Sequence, residues 1–138
     1  MAFPLSTKER TPHIVEFSST EALLNSNIHP SSAIQGGTQI LGAVEIGEQV
    51  QVEENVKIGD GVKIGDEADV RAGVELWPES SVGRNAIVHQ DAVLATGAEL
   101  GNRSIVSPGI TIPSATNIPS WKIVHPGKEP GTLRIEEL

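Results

Sequence analysis

The 138-residue chain contains no cysteine or tyrosine and only two tryptophans and two phenylalanines, so disulfides and thiolate chemistry are excluded and the core must be aliphatic. Its formal charge of -8, from 18 acidic and 10 basic residues, argues against nucleic acid or an anionic membrane surface as partner, since both demand clustered Lys and Arg. The length suits one domain, and no stretch approaches the roughly 18 apolar residues of a membrane span, so a soluble, cytoplasmic protein is expected.

In chain order, residues 1 to 27 show no repeat and are expected to form an N-terminal cap, with Met1 and the acidic finish Glu136-Glu137-Leu138 as natural ends. Met1 to Arg10 has no basic region followed by an apolar run, which argues against a targeting signal. Ser18-Ser19-Thr20-Glu21 before Ala22-Leu23-Leu24 reads as a capping box that opens a short helix.

From Ile28 to Ile118 every sixth residue is Ile, Leu or Val, through sixteen consecutive positions. Four residues after each of the first fifteen stands a second column, Ser, Thr, Ala or Val at every place except Ile110. Glycine follows the aliphatic residue directly at Gly47, Gly59, Gly65, Gly83 and Gly101, as suits a tight corner that a side chain would crowd. The small residue and the next aliphatic residue are two apart, so both face inward in an extended chain. Each hexapeptide is therefore one short strand and one corner. Three of them close a triangular coil, and fifteen give about five stacked coils. Past Ile118 the residues Pro119, Trp121, Pro126, Gly127, Pro130 and Gly131 predict an irregular arm over 119 to 138, lying back along an outer face.

Outward positions are mostly polar, but Ile87, Val93 and Ile105 are not. Ile87 and Ile105 are eighteen apart and stack on one face, with Val93 on the next. Such a patch is expected to be covered, by a neighbouring subunit or by the chain's own tail. Trp77, after Leu76, is the large aromatic on the repeat wall and a candidate anchor for a ligand or subunit.

The pattern in Ile46-Gly47-Glu48-Gln49-Val50-Gln51 and Ile58-Gly59-Asp60-Gly61-Val62-Lys63 resembles the bacterial transferase hexapeptide-repeat family. That resemblance covers about two thirds of the chain and implies an all-β, left-handed parallel β-helix that commonly forms homotrimers. Ile40-Leu41-Gly42-Ala43-Val44-Glu45-Ile46-Gly47 and Gly73-Val74-Glu75-Leu76-Trp77-Pro78 are similar to the C-terminal β-helix of sugar-nucleotide pyrophosphorylases. The leading expectation is accordingly an oligomerisation, binding or regulatory module without its own catalytic centre, answering to a protein partner or nucleotide-sugar effector and needing no cofactor.

The alternative from the same resemblance is a small trimeric acyltransferase using acetyl-CoA. In Val88-His89-Gln90-Asp91, His89 would be the general base that deprotonates the acceptor. The family's histidine usually falls one place later, where this chain has Gln90, and the family's coils usually carry a loop insertion that is lacking between Ile28 and Ile118. Of the four histidines, His13 and His125 lie outside the repeat, and His29 and His89 belong to different faces about three coils apart. No metal site is therefore expected. Asp60, Asp66, Glu67 and Asp69, with Glu53 and Glu54, read as solvated acidic corners.

Overall fold

An aliphatic residue preceded two places earlier by a small one puts both side chains on one face of an extended segment. In the computed structural model, which describes residues 16–138, that constraint gives two-residue strands every six residues from Asn27–Ile28 to Asn117–Ile118. Each strand pairs in parallel with the strand eighteen residues on: Lys57 and Ile58 lie against Glu75 and Leu76, which lie against Val93 and Leu94. The outcome is three parallel walls wound through about five coils, the arrangement of a left-handed β-helix, with one six-residue helix, Thr20–Asn25.

The first wall runs from Glu16–Phe17 to Thr111–Ile112, the second from Asn27–Ile28 to Asn117–Ile118, and the third begins at Ala33–Ile34. From Ile40 to Ile118 every member of the aliphatic column is at most 3% exposed. Phe17, Ile28 and Ile34, in the first coil, are only partly buried. The inward hydroxyls are satisfied. Ser104 Oγ donates to the Pro119 carbonyl at 2.6 Å and accepts from the Lys122 amide at 3.0 Å, and Ser80 Oγ donates to the Trp77 carbonyl at 2.7 Å. Buried hydroxyls without such partners would carry a desolvation cost.

The corners are crowded, as the glycines after the aliphatic residues led one to expect. The glycines that directly follow the aliphatic residue do not adopt positive φ; the left-handed residue comes two places later, at Gly61, Gly73 and Gly109 but also at Gln49, Glu79 and Trp121. What the first set needs is space. A Cβ at Gly83 would stand 2.6 Å from the Asn102 amide nitrogen of the next coil and 2.6 Å from the Gly101 carbonyl carbon.

Both ends differ from the sequence expectation. Glu16–Phe17 already pairs with Gln39–Ile40, so the walls begin before Ile28, and the helix is inserted between the first strand of wall one and the first of wall two. Its N-cap is Ser19, which accepts from the Ala22 amide at 3.0 Å. The third helical position is thus Ala22, so the carboxylate half of a capping box is missing. At the other end Lys122–Pro126 continues the third wall on Ile105–Val106 and turns into an antiparallel partner, Leu133–Glu137. The expected irregular arm is instead a hairpin that keeps the six-residue register: Val124 stands six after Ile118 and is fully buried.

Candidate functional site

Because the inward positions are committed to the core, chemistry is left to the outward faces of the walls and to the three edges where they meet. The residue following each aliphatic position defines an edge, and the eighteen-residue stacking brings one such residue from each coil into line. Walls two and three meet at His29, Gly47, Gly65, Gly83, Gly101 and Pro119; walls one and two at Leu41, Gly59, Trp77, Ala95 and Pro113. Walls three and one meet at Gln35, Glu53, Arg71, His89 and Ser107, and His125 stands eighteen residues after Ser107 inside the strand Lys122–Pro126, beyond the last strand of wall one, Thr111–Ile112. The edge of walls three and one carries most of the ionisable chemistry and is called here the histidine edge.

Backbone bonds fix each member in register with its neighbour. The Arg71 amide donates to the Val88 carbonyl, that of His89 to Val106, and that of Ser107 to Val124, at 2.9, 3.0 and 3.1 Å. His89 is half-buried. His29 and His125 have carboxylates at 3.9 and 3.4 Å, whereas among the described residues none stands that close to His89. Arg71, one coil below, holds its guanidinium 3.9 Å from both Glu53 and Asp69, and its buried Nε has no partner.

Apolar side chains flank this edge on both walls. Ile87 and Ile105 are register partners on the third wall, Ile105 pairs in turn with Ile123, and Val93 stands on the first wall. All four are half-buried. The tail does not cover the patch; by extending the wall it lengthens the column with Ile123. Trp77 lies on a different edge, 45% exposed, donating from Nε1 to Glu75 Oε1 at 3.1 Å, and the C-terminal segment does not pack over it.

The edge of walls two and three forms an open groove floored by Gly47, Gly65 and Gly83 and bordered by Lys63, Arg84 and Asn102. His29 begins it, its ring Nδ1 2.8 Å from Ser31 Oγ. Several acidic corners are explained by backbone bonding: Asp66 accepts from the Glu48 amide at 2.9 Å, Asp60 from Ala43 at 2.9 Å and Glu53 from Ala72 at 3.0 Å. Among the described residues no group of three His, Asp or Glu side chains converges as metal ligands would, and no helix is long and apolar enough to cross a membrane. His13 lies outside the described residues. The hairpin adds one perturbed group: Glu137, hydrogen-bonded to Lys122 Nζ at 2.6 Å, has its carboxyl held below the usual value of 4.5 by that bond and charge.

Sequence reasoning put His89 at a corner of the repeat, as the structure has it, but missed that Lys122–Pro126 continues the third wall. The signal was present in the six-residue step from Ile118 to Val124, masked because Lys122 occupies the place of the small inward residue.

Residues 43–76 match the family model described as bacterial transferase hexapeptide (six repeats). No curated protein matches the chain. Among solved structures, the Caulobacter crescentus protein PerB, determined in complex with CoA and GDP-perosamine, superimposes with a TM-score of 0.66 at 18% identity, over 81% of this chain and 54% of that one. A Bacillus cereus protein assigned as an acetyltransferase superimposes with a TM-score of 0.51 at 16% identity, over 89% of this chain and 82% of that one. The chain thus spans about half the length of PerB. At these identities the likeness shows the fold alone.

Proposed function

We propose that this hexapeptide-repeat protein is an acyltransferase that moves an acyl group from a CoA thioester to a hydroxyl or amine, and that the reaction takes place along the histidine edge. One observation carries the reading: His89 stands on an edge between Arg71 and Ser107, with Ile87 and Ile105 on one side and Val93 on the other. Apolar flanks exclude water from an extended thioester, and an imidazole is the side chain suited to take the acceptor's proton near neutral pH. The similarity to a structure that holds CoA supports this reading ahead of the non-catalytic one. The sequence gives the role of base to His89. A second copy packed on Ile87, Ile105 and Ile123 would wall the edge into a groove, and a homotrimer is one closed ring that does so with every copy equivalent.

The coils between Ile28 and Ile118 carry no inserted loop that would close over an acceptor, and this favours a second reading, a module for assembly or effector binding. Thermal melting separates the two. Acetyl-CoA at a hundred times its dissociation constant adds about 2.7 kcal/mol, roughly 8 to 13 °C for a domain of this size. A shift with acetyl-CoA supports acyl transfer, a shift with nucleotide sugars alone supports the effector module, and silence with both points to a protein partner. His89→Ala is expected to lower turnover with folding intact; unchanged turnover removes His89 from the mechanism.

A further inference from the structure

Wall three ends differently from the other two. Walls one and two stop at Thr111–Ile112 and Asn117–Ile118, each two residues long, whereas wall three continues through Lys122–Pro126 to a five-residue edge strand, Leu133–Glu137. A short edge strand offers an incoming chain little to pair with, and a long one is a template for another strand unless proline, lysine or a covering element blocks it. Residues 133–137 contain neither proline nor lysine, and among the described residues the strand is paired on one side only. Leu133 is half-buried and the other four residues are exposed. The hairpin's own bonds show which backbone groups are left over. The Gly127 amide donates to the Thr132 carbonyl at 2.7 Å and the Leu138 amide to the Trp121 carbonyl at 3.0 Å, which makes 121 with 138, 123 with 136, 125 with 134 and 127 with 132 the hydrogen-bonded pairs. By the alternation of an antiparallel ladder, the N–H and C=O groups of Leu133, Ile135 and Glu137 point to the open side.

These outward groups match a second copy of the same strand. With the two strands antiparallel and Ile135 opposite its own counterpart, Leu133 meets Glu137, and all three outward residues fall on hydrogen-bonded pairs across a two-fold axis. In that register Arg134 stands opposite Glu136 on both sides of the axis, and Glu137, opposite Leu133, already has Lys122 as its counter-charge. Slipping the pairing by one ladder step sets Arg134 against Arg134 or Glu136 against Glu136, and parallel pairing in register also brings like charges together, which is destabilising. Ile135, 46% exposed, comes against its own copy, and Trp121 and Leu138, 57% and 56% exposed, lie at the same end of the solenoid.

We propose that Leu133–Glu137 is a docking edge for the same strand of a second copy, which joins two solenoids end to end through one continuous antiparallel sheet. The pairing does not depend on acyl transfer, and it uses a different surface from the side-by-side packing on Ile87 and Ile105. A single strand pair is a small contact beside the roughly 1,200 to 2,000 Å² of a tight complex. End pairing is therefore weak and grows with concentration, while dilute protein shows side-by-side assembly alone.

Sedimentation equilibrium of the full chain, from micromolar to near-millimolar protein, is the test. The wild-type mass is expected to rise to twice its dilute value. Ile135→Pro should hold the dilute value throughout, because the N–H of residue 135 faces outward and proline removes a donor from the docking ladder and none from the hairpin. Arg134→Glu and Glu136→Arg should each abolish the doubling, since each sets like charges across the axis. An equimolar mixture of those two variants should restore it, because every cross-strand pair is then opposite in sign. Rescue by mixing also shows that both variants are folded. A wild-type mass that stays flat, or doubling retained in Ile135→Pro or in either charge reversal, would overturn the pairing. So would a mixture that fails to associate while both components keep the β-rich spectrum.

Discussion

Two glycine substitutions separate backbone conformation from space as the reason for glycine in this fold. Gly109 has φ +73° and nothing within 4 Å of a prospective Cβ, so Gly109→Ala probes conformation alone. A left-handed L-residue costs about 1 to 2 kcal/mol, offset by roughly 0.4 to 1 kcal/mol from the stiffer unfolded chain, leaving about 1 kcal/mol. Gly83 lacks a positive φ, but its Cβ would lie 2.6 Å from two backbone atoms of the next coil. Relief requires adjacent coils to separate locally, which belongs at the top of the overpacking range, about 3 kcal/mol. Denaturant midpoints with unchanged slope would measure both, and thermal midpoints should fall by roughly 4 and 12 °C, at about 3 to 5 °C per kcal/mol for this length. If Gly83→Ala were neutral while Gly109→Ala was severe, the glycines after the aliphatic residues would be serving backbone freedom, and the close-approach argument would be refuted.

Ile105→Asp puts a charge in the middle of the Ile87, Ile105 and Ile123 column, and light scattering should show the assembly falling to monomer with the β-rich spectrum kept; an unchanged mass would move the interface elsewhere. Asp66→Ala removes the acceptor for the Glu48 amide and should cost about 1 kcal/mol, with Asp66→Asn close to wild type; an equal loss in both would assign the effect to charge instead. Glu137 is held below its usual value by Lys122, so the contribution of this bridge is complete above the ordinary carboxylate value and disappears as pH falls through the lowered one. Carboxyl NMR should show Glu137 returning to an ordinary titration in Lys122→Met, and a titration unaffected by that change would discard the bridge as the cause.

The interior was legible because it is overdetermined. Swapping one member of the aliphatic column for a polar residue would strand that group between coils, so the sixfold period survives in nearly every repeat, from Ile40 to Ile118. Corner conformation was not legible, since the left-handed position accepts Gln49, Glu79 and Trp121 as well as glycine and leaves no single residue type to read. The hairpin escaped notice for a related reason. Lys122 can occupy an inward-column place because that coil is the last and its ammonium reaches Glu137. The candidate edge was half legible: the corner place of His89 follows from the repeat, whereas His125 and Glu136 become neighbours only through antiparallel pairing of 122–126 with 133–137.

The edges explain how a fold with so uniform an interior can hold a site at all. Stacking at eighteen residues turns one sequence position per coil into a column about 4.8 Å apart per rung, so each edge acquires its own chemistry independently of the others. One is floored with glycine because adjacent coils touch there. One carries Leu41 and Trp77. Only the third lines up a carboxylate, a guanidinium, an imidazole and a hydroxyl, in Glu53, Arg71, His89 and Ser107. It is also the edge bordered by Ile87, Ile105 and Val93, so the ionisable column and the apolar patch are one place on the molecule. If assembly and chemistry were unrelated, there would be no reason for the outward apolar residues to gather beside the imidazole, since every wall has equal room for them. A substitution at Ile105 should therefore weaken acetyl-CoA binding together with self-association, and acetyl-CoA affinity retained in a monomeric variant would separate the two.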